Sequence, residues 1–206
     1  MFYETKANNH GLPHDPVPSL VVPRPIGWLS TLSKAGVVNV APYSYFNLIA
    51  TRPHVVMFAS FGRKDSQRNS EETGEFVVNM ATYELREAVN ESSAQYGAET
   101  SESDSIGLEM APCSIVRPPR VARSPAALEC EYLKTVSLPG IDGKPHPTQV
   151  VFGRVVGVHI ADEVLVDGRV DIARIRPLSR MGYLDYTTVD SVFPMPRPNQ
   201  PRAVLP

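Results

Sequence analysis

Two long runs of strand-forming residues, Ala127 to Ser137 and Thr148 to Ile160, flank a short stretch that contains Gly140 and Gly143. β-branched and aromatic residues suit a pleated backbone, and two such runs around a glycine-bearing gap read as a hairpin. Strands joined that tightly pair antiparallel. Further strand-like runs lie at Ile26 to Leu32, Val37 to Val40, His54 to Phe61, Phe76 to Asn79 and Ser114 to Val116. A shorter one, Glu163 to Val166, precedes the turn Asp167-Gly168. Val150, Phe152, Val156, Val158 and Ile160 share parity and predict one apolar face, interrupted only by Arg154, which needs a partner if buried. Helical patterns are fewer: Asp65 to Thr73, Tyr83 to Ser93 with Leu85, Ala88 and Val89 at helical spacing, and a short turn near Asp171 to Ile175. The expectation is a mainly β fold, a closed or nearly closed antiparallel barrel with a few capping helices, rather than alternating βαβ units.

Prolines divide the chain, and their number, 20 in 206 residues, is about twice the usual share of roughly 5%. Residues 1–23 read as a proline-rich entry segment, 24–193 as one domain and 194–206 as a proline-rich extended tail. A net charge of −2 argues against a general nucleic-acid surface, so any anion site must be local. There is no apolar run of membrane-spanning length and no signal-peptide pattern, so the expected location is the cytoplasm. Cys113 and Cys130 form no Cys-x-x-Cys pair. Cys130 alternates with Leu128 and Tyr132 against Glu129 and Glu131, the pattern of a buried strand cysteine. His10, His14, His54, His146 and His159 are scattered, without metal-ligand spacing.

Phe58 to Asn69 passes from an apolar strand through Gly62 into Arg63, Lys64 and Arg68, with the hydroxyls of Ser60 and Ser66 and the amide of Asn69. A helix with Asp65 or Ser66 as its N-cap leaves backbone N–H groups unpaired at that point, and such groups receive anions, here a phosphate. Asp65 opposes an anion unless it caps the helix or pairs with Arg68. The alternative is a solvated loop. Dinucleotide, P-loop, zincin and nucleophile-elbow signatures are all absent.

Arg24 to Thr31, Gly36 to Asn47, Arg63-Lys64-Asp65-Ser66 with Asn69, Thr73 to Asn79, Ser124 to Cys130 and the strand ending near His159 occur in that order. Together they resemble the flavin reductase-like family, which includes flavoredoxins and NAD(P)H:flavin oxidoreductases. The resemblance implies an FMN-binding split β-barrel, a homodimer with FMN near the subunit interface, and NADH or NADPH as electron donor. It implies that the FMN phosphate meets Ser60, Arg63, Lys64, Ser66 and Asn69. The isoalloxazine would lie against the strand end bearing Trp28, Ser30 and Thr31 and against the turn from Pro42 bearing Ser44 and Asn47. Trp28, Tyr43, Tyr45 and Phe46 offer either core packing or a wall for a flat ring. Arg180 to Tyr183 resembles the family's Arg-x-Gly-Gly, with Tyr183 in place of the second glycine, narrowing the space above a ring. Flavin chemistry needs placement and hydrogen-bond donors rather than an acid/base dyad, so no catalytic side chain is assigned. The resemblance also covers two alternatives: an electron carrier of the flavoredoxin type, reduced by a partner protein, and a non-enzymatic split-barrel binding module.

Overall fold

The computed structural model describes residues 1–97, 99–141 and 143–197. In chain order the elements are α1 (Val17–Leu20), β1 (Arg24–Pro25), β2 (Gly27–Leu32), β3 (Val38–Tyr43), β4 (Phe46–Thr51), β5 (His54–Phe61), α2 (Asp65–Thr73) and β6 (Glu75–Met80). A single turn, Tyr83–Leu85, leads into α3 (Arg86–Glu91), followed by α4 (Glu102–Ser105), β7 (Met110–Ala111) and β8 (Arg120–Val121). The long hairpin is β9 (Ala126–Pro139) and β10 (Pro145–Ile160). The chain continues through β11 (Leu165–Val166), β12 (Arg169–Val170), α5 (Ile172–Ile175), β13 (Leu178–Gly182) and β14 (Asp185–Thr188).

Seven strands form one antiparallel sheet in the order β3-β2-β6-β9-β10-β5-β4. Its two edges, β3 and β4, are separated in the chain by Ser44 and Tyr45 alone. The sheet therefore curls, and at the seam the Tyr43 ring at the end of β3 lies 5.0 Å from the Phe58 ring of β5. This is the nearly closed antiparallel barrel expected from the strand pattern.

Leu29, Phe58, Phe76, Cys130 and Val151 pack together in one core. Trp28, Val40, Ala81, Leu85, Val89 and Val121 form a second that includes residues of α3. Successive strand residues face opposite ways, so neighbouring Trp28 and Leu29 serve different cores. Each fully buried side chain of this size contributes about 1.5–3 kcal/mol. Phe76 reaches across the barrel to Gly153, where an added Cβ would lie 2.2 Å from Phe76 Cζ.

Several expectations are corrected. The five apolar residues of β10 do not share a face, because the register shifts between Val155 and Gly157. Val155 stands opposite Cys130 and Val158 opposite Leu128, so residues three apart face the same way beyond the bulge. The face that packs into the core belongs to Val151, and Arg154 is exposed beside Glu131. Ser114 to Val116 is not a strand, because its N–H groups bond a side chain instead of a neighbouring strand. Phe46 and Asn47, assigned to a turn, begin β4. The helix expected to span Tyr83 to Ser93 begins as the tighter Tyr83–Leu85 turn and ends at Glu91. Helix α2 runs over Asp65–Thr73 as expected and stops at Gly74, whose φ of 78° suits glycine. Of the tail, residues 198–206 lie outside the described residues. Among the described residues no helix is long and apolar enough to cross a membrane.

Candidate functional site

Helix α2 is unusual in carrying no apolar residue, DSQRNSEET, while Ser66, Gln67, Asn69 and Ser70 are buried. Hydrogen bonds seat it. Asn39 Nδ2 donates to Ser66 Oγ (2.9 Å) and to Thr31 Oγ1 (3.3 Å), and Asn69 Nδ2 donates to the same Thr31 oxygen (3.1 Å). Gln67 Nε2 donates to Gln149 Oε1 (2.6 Å) and Glu71 Oε1 (2.8 Å). Apart from Gln67 Oε1, which has no hydrogen-bond partner among the described residues, buried amides and hydroxyls satisfied in this way fix the helix at one angle, because any displacement leaves several of them unpaired.

The N-terminus so positioned opens into a cleft at the barrel seam, about 970 Å³ in volume, within the roughly 300–1,000 Å³ typical of small-molecule sites. One wall is the end of β3 with Pro42, Tyr43, Ser44 and Tyr45, another is Ala59 and Phe61 of β5, and the helix start adds Arg63, Lys64, Asp65 and Ser66. Residues 92–96, Glu102 and the β9–β10 hairpin residues Leu138, His146 and Thr148 close the remaining sides. No side chain caps α2: Lys64 occupies the N-cap position, and not Asp65 or Ser66. Its first N–H groups are thus open to a ligand.

Charge around this end is selective. Arg63 lines the cleft but is paired with Glu71 (2.8 Å) and Glu72 (3.4 Å). Arg68 pairs with Asp65 at 2.6 Å, which neutralises the carboxylate that would repel an anion. Lys64 makes no ion pair among the described residues, so it is the free cation at the helix start. Burial pushes the Tyr43 hydroxyl pKa up, partly offset by the hydroxyls of Ser66 and Ser60. Burial likewise raises the Glu102 carboxyl.

Of the residues expected at the site, Ser44, Arg63, Lys64 and Ser66 line the cleft. Ser60, Thr31 and Asn69 stand behind the wall: Ser60 Oγ donates to the Gly62 carbonyl (2.8 Å), and the other two hold α2. Four others do not line the cleft. Trp28 is fully buried in the core, its Nε1 donating to Ser92 Oγ at 2.9 Å, because it faces away from the barrel interior. Ser30, on the same face, is consumed by the Pro119 carbonyl (2.5 Å) and Asn79. Asn47 lies on edge strand β4, with Oδ1 accepting from Leu48 N–H. Arg180 lies outside the cleft, donating to the Tyr183 carbonyl and to Tyr186 Oη. Tyr183 has φ 46°, the left-handed backbone that glycine adopts freely, so the turn geometry persists without the glycine. His159 bonds Glu129. Asn39 and Glu102 escaped the sequence reading. Asn39 carried a signal, a polar residue between Val38 and Val40 in a strand; Glu102 sat in a uniformly polar stretch and carried none.

A model described as the flavin reductase like domain matches residues 19–175. The chain belongs to the flavin reductase-like family. A protein of Halalkalibacterium halodurans is 38% identical over 184 residues, covering 86% of this chain and 87% of that protein. Among solved structures, nitrilotriacetate monooxygenase component B from Bacillus cereus superimposes with TM-score 0.84 and 29% identity, covering 95% of this chain and 98% of that one. A split-barrel protein from Shewanella frigidimarina superimposes with TM-score 0.80 at 21% identity, covering 96% and 99%, a likeness of fold alone. The seam cleft of this flavin reductase-like chain lies within the matched residues.

Proposed function

We propose that the cleft holds FMN and that the protein takes reducing equivalents onto it from NADH or NADPH. The observation carrying this reading is the open N-terminus of α2 beside unpaired Lys64. A phosphate needs backbone N–H donors and a cation, and a flat ring needs a largely apolar slot. The donor set fits both, with Lys64, Ser66 and the α2 N–H groups for the phosphate and Pro42 to Tyr45 for the ring. When bound, FMN supplies acceptance of two electrons from a reduced nicotinamide and their delivery to an acceptor.

The chain's own work is placement. The amide network beneath α2 fixes the anion end, Phe61 and Leu138 add apolar surface to the cleft wall, and Tyr43 stays a neutral donor because burial keeps its hydroxyl protonated. The Bacillus cereus neighbour's name, component B of a monooxygenase, supports a separate protein as recipient of the electrons. Exposed Leu48, Ile49, Val158 and Ile160 support the homodimer.

Replacing Lys64 and Ser66 together by alanine is expected to raise the Kd for FMN more than tenfold in a flavin fluorescence titration. Each charge-assisted hydrogen bond contributes roughly 1.5–3 kcal/mol. Unchanged affinity overturns the phosphate assignment. In anaerobic mixing, bleaching of the bound flavin by NADH or NADPH is expected. Reduction by dithionite but by neither nucleotide would make the protein a carrier served by a partner protein.

A further inference from the structure

Among the residues outside the cleft, Cys113, Glu129 and His159 come together from three separate segments. Cys113 lies in the loop between β7 and β8, Glu129 on β9 and His159 on β10. One ligand atom from each lies within 4.8 Å of the other two. Sequence spacing could not reveal this grouping, because the three are distant in the chain. The β10 bulge assembles it: beyond Val155–Gly157, Gly157 faces Glu129 and His159 faces Ala127, so His159 shares a face with Glu129. A Cβ on Gly157 would stand 3.1 Å from Glu129 Cδ, so glycine leaves room for the carboxylate.

We propose that Cys113, Glu129 and His159 bind one borderline-soft divalent cation of the Zn²⁺ type. A sulfur, an imidazole nitrogen and a carboxylate oxygen are the donors such ions select, whereas Ca²⁺ and Mg²⁺ favour oxygen alone. Three protein ligands leave the fourth tetrahedral position to water. Glu129 is 1% exposed, and its oxygens accept the N–H groups of Ser114 (2.8 Å), Ile115 (2.6 Å) and Val116 (2.8 Å) and of His159 Nε2 (2.6 Å). Cys113 is partly buried and the His159 side chain is 26% exposed, which gives an ion a way in.

Metal–ligand bonds of 2.0–2.2 Å set nitrogen and oxygen about 3.3 Å apart in a tetrahedron. The His159–Glu129 pair must therefore open by under about 1 Å. The ion takes the position of the proton they share. An ion is bound by the thiolate, so binding expels the Cys113 proton to solvent. The imidazole enters neutral, with its N–H moved to the nitrogen facing away. The ion ties the 113–116 loop to the barrel wall.

The test is a Co²⁺ titration of the full-length, chelator-stripped protein, followed by difference absorption. One Co²⁺ per chain is expected, with a thiolate-to-cobalt charge-transfer band and tetrahedral d–d bands. Cys113→Ser should abolish the charge-transfer band, His159→Gln should weaken binding at least tenfold, and Cys130→Ser should change neither. In the unaltered protein, Zn²⁺ should slow alkylation of Cys113 at least tenfold by mass spectrometry, a readout that does not depend on any variant folding. Absence of the charge-transfer band, its survival in Cys113→Ser, or unprotected alkylation overturns the proposal.

Discussion

Glu102 places a carboxylate in the wall of the cleft, with Oε2 accepting the Val40 N–H at 3.1 Å. Burial raises its pKa above the ordinary carboxylate range, so the folded chain holds this proton more tightly than the unfolded chain does. Its contribution is full below the unfolded pKa and is lost as pH rises through the folded one. Glu102→Gln keeps an acceptor for Val40 and removes the charge. As pH rises above the ordinary Glu value of about 4.3, the unfolding free energy of the parent is expected to fall more steeply than the variant's, measured by urea unfolding at each pH; parallel slopes refute it. At this scale Lys64 and Ser66 were legible because a cation and a hydroxyl stood at a helix start. The packing of Trp28 and Ser30 away from the cleft was not legible, because strand alternation says which residues share a face, not what that face meets.

Among the elements, the span of α2 from Asp65 to Thr73 and its stop at Gly74 were readable, though its N-cap was not. Its seat was not, since Asn39, Thr31 and Gln149 come from strands distant in sequence. The β10 bulge escaped because one inserted residue alters parity without altering composition. Strand β4 was hidden behind Pro42 and Ser44, which read as turn residues although the chain turns only at Ser44–Tyr45. The close passage of Phe76 over Gly153 makes a strong test of the barrel interior. Gly153→Ala forces that ring or the strand to shift, and an overpacking cost of about 1–3 kcal/mol is expected from the urea midpoint. A variant as stable as the parent would mean that the ring has another resting place.

In the whole molecule, curling brings the sheet's two edges to the place where the cleft opens, so the fold and the site share one origin. The barrel class was legible because a long hairpin and many short strands leave few other arrangements. Which side chains β10 exposes was not, since the bulge reorients them. Val158 is 58% exposed and Ile160 41%. If they lie in the proposed homodimer interface, Val158→Glu buries an unpaired charge there. The expected outcome is a shift from dimer to monomer in sedimentation velocity at micromolar concentration; an unmoved dimer removes β10 from the interface.

The polar seat of α2 has a thermal consequence. A helix docked on hydrocarbon loosens in the cold, because the force that holds it fades as water is chilled. One held by amide and hydroxyl partners lacks that weakness, and its release exposes polar surface that adds nothing positive to the heat capacity. The anion end of this barrel is therefore the region that chilling leaves in place.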